Sequence, residues 1–155
     1  MQGVAGGAAW PVIAGKAFVA GAQVSQWALP CFPSAVVCLR RRPPQAADYP
    51  AEWRGLTVWH LPLTYWQDGP VADPVARLRT VVEAVCRSGK PVVVHCALGL
   101  DRAGIVALAL LLSSGLPLPQ ALQRYRMRGV RLPDNEAMCV LRQFAAEQER
   151  GRDCR

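Results

Sequence analysis

Cys96 and Arg102 are separated by five residues, and His95 stands immediately before the cysteine. A thiol becomes a nucleophile or an inert core group according to the field around it. The segment Ala97-Leu98-Gly99-Leu100-Asp101 offers that field if it turns from a strand into a helix. Its backbone N–H groups, with that of Ala103, then converge on an anion, and the helix N-terminus adds about half a positive charge. The same field favours thiolate over thiol, so Cys96 reads as a nucleophile. Arg102 carries a planar fork that can hold two phosphate oxygens at once. His95 reads as a support that orients the loop and sustains the thiolate by hydrogen bonding, rather than as a base.

The flanking residues supply the strand and the helix. Pro91-Val92-Val93-Val94 is an apolar run of strand length, and Ile105 to Leu112 is the apolar body of a helix. Further strands are expected at Val12-Ile13, at Ala17-Phe18-Val19, at Ala35 to Leu39 and at Leu56 to Leu61. Asp73-Pro74 opens a helix, with Asp73 as N-cap, Val75, Leu78, Val82 and Val85 facing inward and Gly89 ending it. Another helix starts at Pro117-Leu118-Pro119. Asp134 caps a last one that runs to about Glu149 with Met138, Leu141 and Phe144 inward. Strands alternating with helices give an α/β fold, with a central, mainly parallel, twisted sheet flanked by helices. The whole chain, 1–155, reads as a single domain whose first residues, 1–9, are frayed.

Composition narrows the classes. The net charge is +7, nearly all of it from arginine, since Lys16 and Lys90 are the only lysines. A basic surface favours anionic partners. The arginines are scattered rather than interleaved with aromatics, so nucleic acid is not an expected partner. The run Arg40-Arg41-Arg42 is either a solvated loop or a substrate contact beyond a strand's carboxyl end. Six cysteines, at 31, 38, 86, 96, 139 and 154, show no metal-like spacing, and no metal or cofactor is expected. Cys86 and Cys139 fall in apolar helical patterns and are expected in the core. The longest apolar run, Ala103 to Leu112, is about half of a membrane span. The start of the chain lacks a basic region before an apolar core, so a cytoplasmic, reducing location is expected.

The stretch from His95 to Gly104 resembles the active-site loop of the cysteine-dependent protein tyrosine and dual-specificity phosphatases, in which His-Cys is followed by five residues and Arg. Gly99 and Gly104 match the family's glycines. The look is closest to the regenerating-liver, cell-division-cycle and kinase-associated types. The resemblance implies hydrolysis of phosphate monoesters on phosphotyrosine or phosphoserine/threonine proteins, through a cysteinyl-phosphate. It implies that Cys96 is the nucleophile, that the loop and Arg102 bind the phosphate, and that a carboxylic acid on another loop protonates the leaving oxygen.

Asp68 is the first candidate for that acid. It lies 28 residues before Cys96, and Gln67-Asp68-Gly69-Pro70 resembles the Asp-Gly loop of these phosphatases. Asp101 and Asp73 are the alternatives. Asp101 departs from the family's usual glycine and is similar to the loops of myotubularin and Sac-type phosphoinositide phosphatases. Ala103 departs from the usual Ser or Thr, which implies slow breakdown of the intermediate. Cys38 resembles the cysteine that can pair with the nucleophile in the regenerating-liver type, and is a candidate redox partner of Cys96. Other readings stay open: a phosphoinositide phosphatase, a rhodanese-like enzyme, and a phosphate-binding module that does not hydrolyse.

Overall fold

A computed structural model describes residues 17–20, 33–63, 73–88, 92–96, 101–126 and 135–153. Four strands form in the order of the chain: β1 at Ala17–Ala20, β2 at Ala35–Cys38, β3 at Thr57–His60 and β4 at Val92–His95. Their spatial order is β1-β4-β2-β3, and every pair is parallel. Parallel neighbours cannot be joined by a tight turn. Helix α1, Pro74–Ser88, therefore carries the chain from the edge strand β3 back to the central strand β4. Helix α2, Asp101–Ser113, follows β4, and then come α3, Leu118–Arg126, and α4, Asn135–Asp153.

The unbroken apolar runs of β2 and β4 have a simple cause. All four residues of each strand are buried, as expected for strands covered on both faces. Side chains alternate between those faces. Ala35, Val37 and Leu39, with Val92, Val94 and Cys96, join the core cluster shared with the helices. Val36, Cys38, Val93 and His95 therefore point to the opposite face. Helix α2 is apolar all round because it is the central helix, buried at every position from Arg102 to Leu112. It packs on α1, α3 and α4.

Local signals set the helix ends. Asp73 caps α1 as expected, its Oδ1 accepting a hydrogen bond from the Ala76 N–H at 3.0 Å. Helix α2 closes in a Schellman motif: the Gly115 N–H donates to Leu112 O at 3.0 Å and the Leu116 N–H to Leu111 O at 3.3 Å. Gly115 sits at φ +110°, where a side chain would be strained. Helix α4 runs on to Asp153, past the Glu149 expected from the sequence.

Two expectations need correction. Cys86 and Cys139 are exposed, not in the core. On α1 the buried stripe is Val75, Leu78, Val81, Val82 and Val85, and Cys86 falls one residue beyond it, about 100° around the helix. Cys139 lies in the same way between buried Met138 and buried Val140. The strand at Val12-Ile13 lies outside the described residues.

Candidate active site

The carboxyl end of β4 meets the amino end of α2 at the centre of the sheet. Cys96 is the first residue past β4 and is 2% exposed. Arg102 is the second residue of α2 and is 9% exposed. The two residues singled out for phosphate chemistry thus flank one strand-to-helix junction, both buried. Residues Ala97, Leu98, Gly99 and Leu100, which would carry the anion-binding N–H groups, lie outside the described residues, as does Asp68. Asp101 opens α2, and Ala103 is fully buried in its first turn.

Gly104 holds that helix against its neighbour. A methyl group there would overlap the hydroxyl of Tyr125 on α3, itself fully buried. The glycine that matches the phosphatase loop therefore has a packing role, letting α3 approach the first turn of α2.

His95 is 1% exposed and belongs to a polar cluster on the far face of the sheet. Its Nε2 lies 2.8 Å from the hydroxyl of Tyr49, and the two rings meet edge to face with centroids 5.4 Å apart. Burial, helped by the charge on Arg40, pushes the imidazole down to about 4, while a hydrogen bond to the Cys96 backbone acts the other way. The ring is therefore neutral at neutral pH. Tyr49 is pushed up, chiefly by burial and then by Cys38, so its hydroxyl stays protonated. A neutral ring bonded to a protonated hydroxyl holds the two side chains in place and has no proton to give at neutral pH.

The sign of the His95 shift carries a prediction. The folded value of about 4 lies below the ordinary 6.5, so the unfolded chain binds the extra proton. The stability this group provides is present above pH 6.5 and drains away as pH falls toward 4. Between pH 7.5 and 4.5 the loss is about 2–3 kcal/mol, at 1.36 kcal/mol per unit. Urea unfolding of the wild type and His95→Asn at both pH values should show a smaller pH-dependent loss in the variant. Equal losses in the two proteins would refute the assignment.

Sequence reasoning missed the neighbours of His95. Arg40, just past β2, donates from its guanidinium to Asp48 at 2.7 Å and interacts with Cys38. Cys38 is fully buried, has a free thiol and pairs with His95 across the β2–β4 ladder. It also acts on Tyr49. No spacing rule links position 49 to position 95. The only signal available was an aromatic in a stretch rich in proline and polar residues.

Known proteins share this fold. The sequence profile described as tyrosine phosphatase family matches residues 40–149. The crystal structure of Tk-PTP in its active form is 32% identical, with a TM-score of 0.54, over 73% of this chain and 78% of that one. A mutant form of Tk-PTP gives a TM-score of 0.68 at 26% identity, covering 92% of this chain and 97% of that one. Human DUSP28 is similar in fold, with a TM-score of 0.66 at 20% identity over 96% of this chain and 99% of its own. So is PTPMT1, at 0.66 and 16%, over 94% and 100%; it has also been solved in complex with PI(5)P. No curated protein sequence matches the chain. No helix among the described residues is long and apolar enough to cross a membrane. With the matched profile spanning well over half its length, the chain belongs to the tyrosine phosphatase family.

Proposed function

We propose that this chain hydrolyses phosphate monoesters, on phosphotyrosine or phosphoserine/threonine proteins, through a cysteinyl-phosphate intermediate. The observation that supports it best is the burial of Cys96 and Arg102 on either side of the junction between β4 and α2. In the first step the Cys96 thiolate attacks phosphorus. The S–P bond forms, the P–O ester bond breaks, and the leaving oxygen takes a proton from the Asp68 carboxyl. In the second step water attacks phosphorus and gives its proton back to the Asp68 carboxylate. The S–P bond breaks, releasing phosphate and the thiolate. Arg102, the N–H groups of residues 97–103 and the positive end of α2 stabilise the charge on the transferred group in both steps.

The assignment of the acid is tested by leaving group. Asp68→Asn should lower turnover of an alkyl phosphate or phosphotyrosine by about 10²–10⁴. It should lower turnover of para-nitrophenyl phosphate far less, because that leaving group needs little protonation. Equal, small effects on all substrates would move the acid to Asp101.

Cys38 lies on the neighbouring strand, level with His95, and points to the sheet face opposite that of Cys96, so this reading gives it no disulfide with the nucleophile.

A further inference from the structure

Strand β3 is an edge of the sheet, and among the described residues it pairs only with β2. Backbone groups of successive strand residues point to alternate sides. The Leu61 N–H donates to Cys38 O at 3.0 Å, so Trp59 and Leu61 turn their backbone groups toward β2. Val58 and His60 turn theirs outward, and among the described residues these backbone groups have no hydrogen-bond partner. Charge, proline or a bulge commonly blunts such an edge. Thr57-Val58-Trp59-His60 has none of these and keeps regular register with β2 throughout.

A groove lies beside this edge on each face of the sheet. On the face covered by α1, a groove of about 640 Å³ runs between Trp59 and Leu61 on one side and Thr80, Ala84 and Arg87 of α1 on the other. On the opposite face, a groove of about 300 Å³ lies between Val58 and the arm that precedes β3, where Tyr49, Trp53 and Arg54 form its wall. The Tyr49 and Trp53 rings stack there with centroids 6.1 Å apart. Val58 borders both grooves. Each groove has an arginine and, among the described residues, no carboxylate in its wall. Arg87 stands 3.5 Å from Glu83 on the exposed side of α1, while Arg54 is exposed and makes no ion pair among the described residues. Both arginines lie at the amino end of β3. Arg54 precedes the strand, and α1 brings the chain back to the amino end of the sheet with Arg87 in its last turn.

We propose that the β3 edge docks an extended peptide segment of a partner protein, which adds a strand to the sheet. Side chains of an added strand alternate between the two faces, as the grooves do. Apolar side chains at successive positions enter the α1 groove and the Tyr49–Trp53 groove in turn. Acidic residues at the end beside Arg54 and Arg87 complete the fit to a chain of net charge +7. A second copy of this chain fits less well. The side chains of its own β3 border its own grooves, so pairing edge to edge leaves all of them empty. The inference goes beyond the proposed hydrolysis and does not depend on it.

The test uses the full chain and two fluorescein-labelled peptides, Glu-Glu-Val-Tyr-Val-Thr and its reverse, Thr-Val-Tyr-Val-Glu-Glu. They present the acidic end for parallel and for antiparallel addition. One of them should bind in fluorescence anisotropy, and exchange of the Val58 and His60 amide hydrogens should slow in the complex. N-methylation at alternate residues of that peptide should weaken binding about tenfold in one alternate pattern and little in the other, because only one side of the peptide faces β3. Replacing both Glu by Lys should weaken it about fivefold at low salt, and Arg54→Ala should remove most of that difference. Ala84→Glu puts bulk and charge into the α1 groove and should weaken binding about tenfold, with the melting temperature showing that the variant is folded. No binding of either peptide, equal loss in both N-methylation patterns, or full binding by a folded Ala84→Glu overturns the inference. So does a dimer of the free protein in sedimentation that Ala84→Glu breaks, which gives the edge to a second copy.

Discussion

Cys96→Ser is expected to lower hydrolysis of para-nitrophenyl phosphate by at least about four orders of magnitude, the scale seen when a covalent nucleophile is removed. The reason lies in what surrounds the residue. A thiol ionises readily in a positive field, whereas a serine hydroxyl in the same place needs a base. His95 is the adjacent candidate, but its ring is neutral, buried and engaged with the Tyr49 hydroxyl through Nε2. His95 is therefore not placed to act as a base for a serine. Phosphate or vanadate binding should persist, because Arg102 and the helix terminus are unchanged. Steady-state kinetics and a binding titration on the same protein check both halves. Residual activity within tenfold of wild type would remove Cys96 from the chemistry.

Arg102→Lys is expected to cost about 10²–10³ in kcat/KM, with weaker phosphate binding. The substitution keeps the charge and removes the fork. Arg102 is buried in the first turn of α2, so its side chain has little room to move. A planar guanidinium matches two oxygens of the transferred phosphoryl group, and an ammonium meets them one at a time. A melting curve separates a catalytic loss from an unfolded protein. Wild-type kinetics in a folded Arg102→Lys would show that only charge at this position matters.

Local signals made much of this protein legible. The runs at Ala35 to Leu39 and Val92 to Val94 are apolar at every position because β2 and β4 are covered on both faces. Asp73-Pro74 announces α1, and the Asp73 cap is present. Cys96 and Arg102 are close in sequence and flank one strand-to-helix junction, so placing them there needs no knowledge of the rest of the fold. What stayed hidden depends on contacts between distant segments. Tyr49 meets His95 only because β2 lies beside β4 and the chain after β2 folds back over that face. The tie between Arg40 and Asp48 depends on the same return. Cys86 and Cys139 misled because an apolar residue type was read as an inward position, whereas the neighbouring buried stripes fix which side of α1 and α4 faces in. The exposed edge at β3, where Thr57 and Val58 face solvent, has no sequence signal of its own, since the strand order alone puts β3 at the edge.

The central claim is that Cys96 takes the phosphoryl group. Rapid-quench mass spectrometry of the wild type mixed with para-nitrophenyl phosphate tests it most directly. One phosphoryl group should appear on the peptide that carries Cys96, with a burst of nitrophenol equal to the enzyme present and no such adduct in Cys96→Ser. Turnover with no adduct on that peptide, or with the adduct on another residue, would contradict the account.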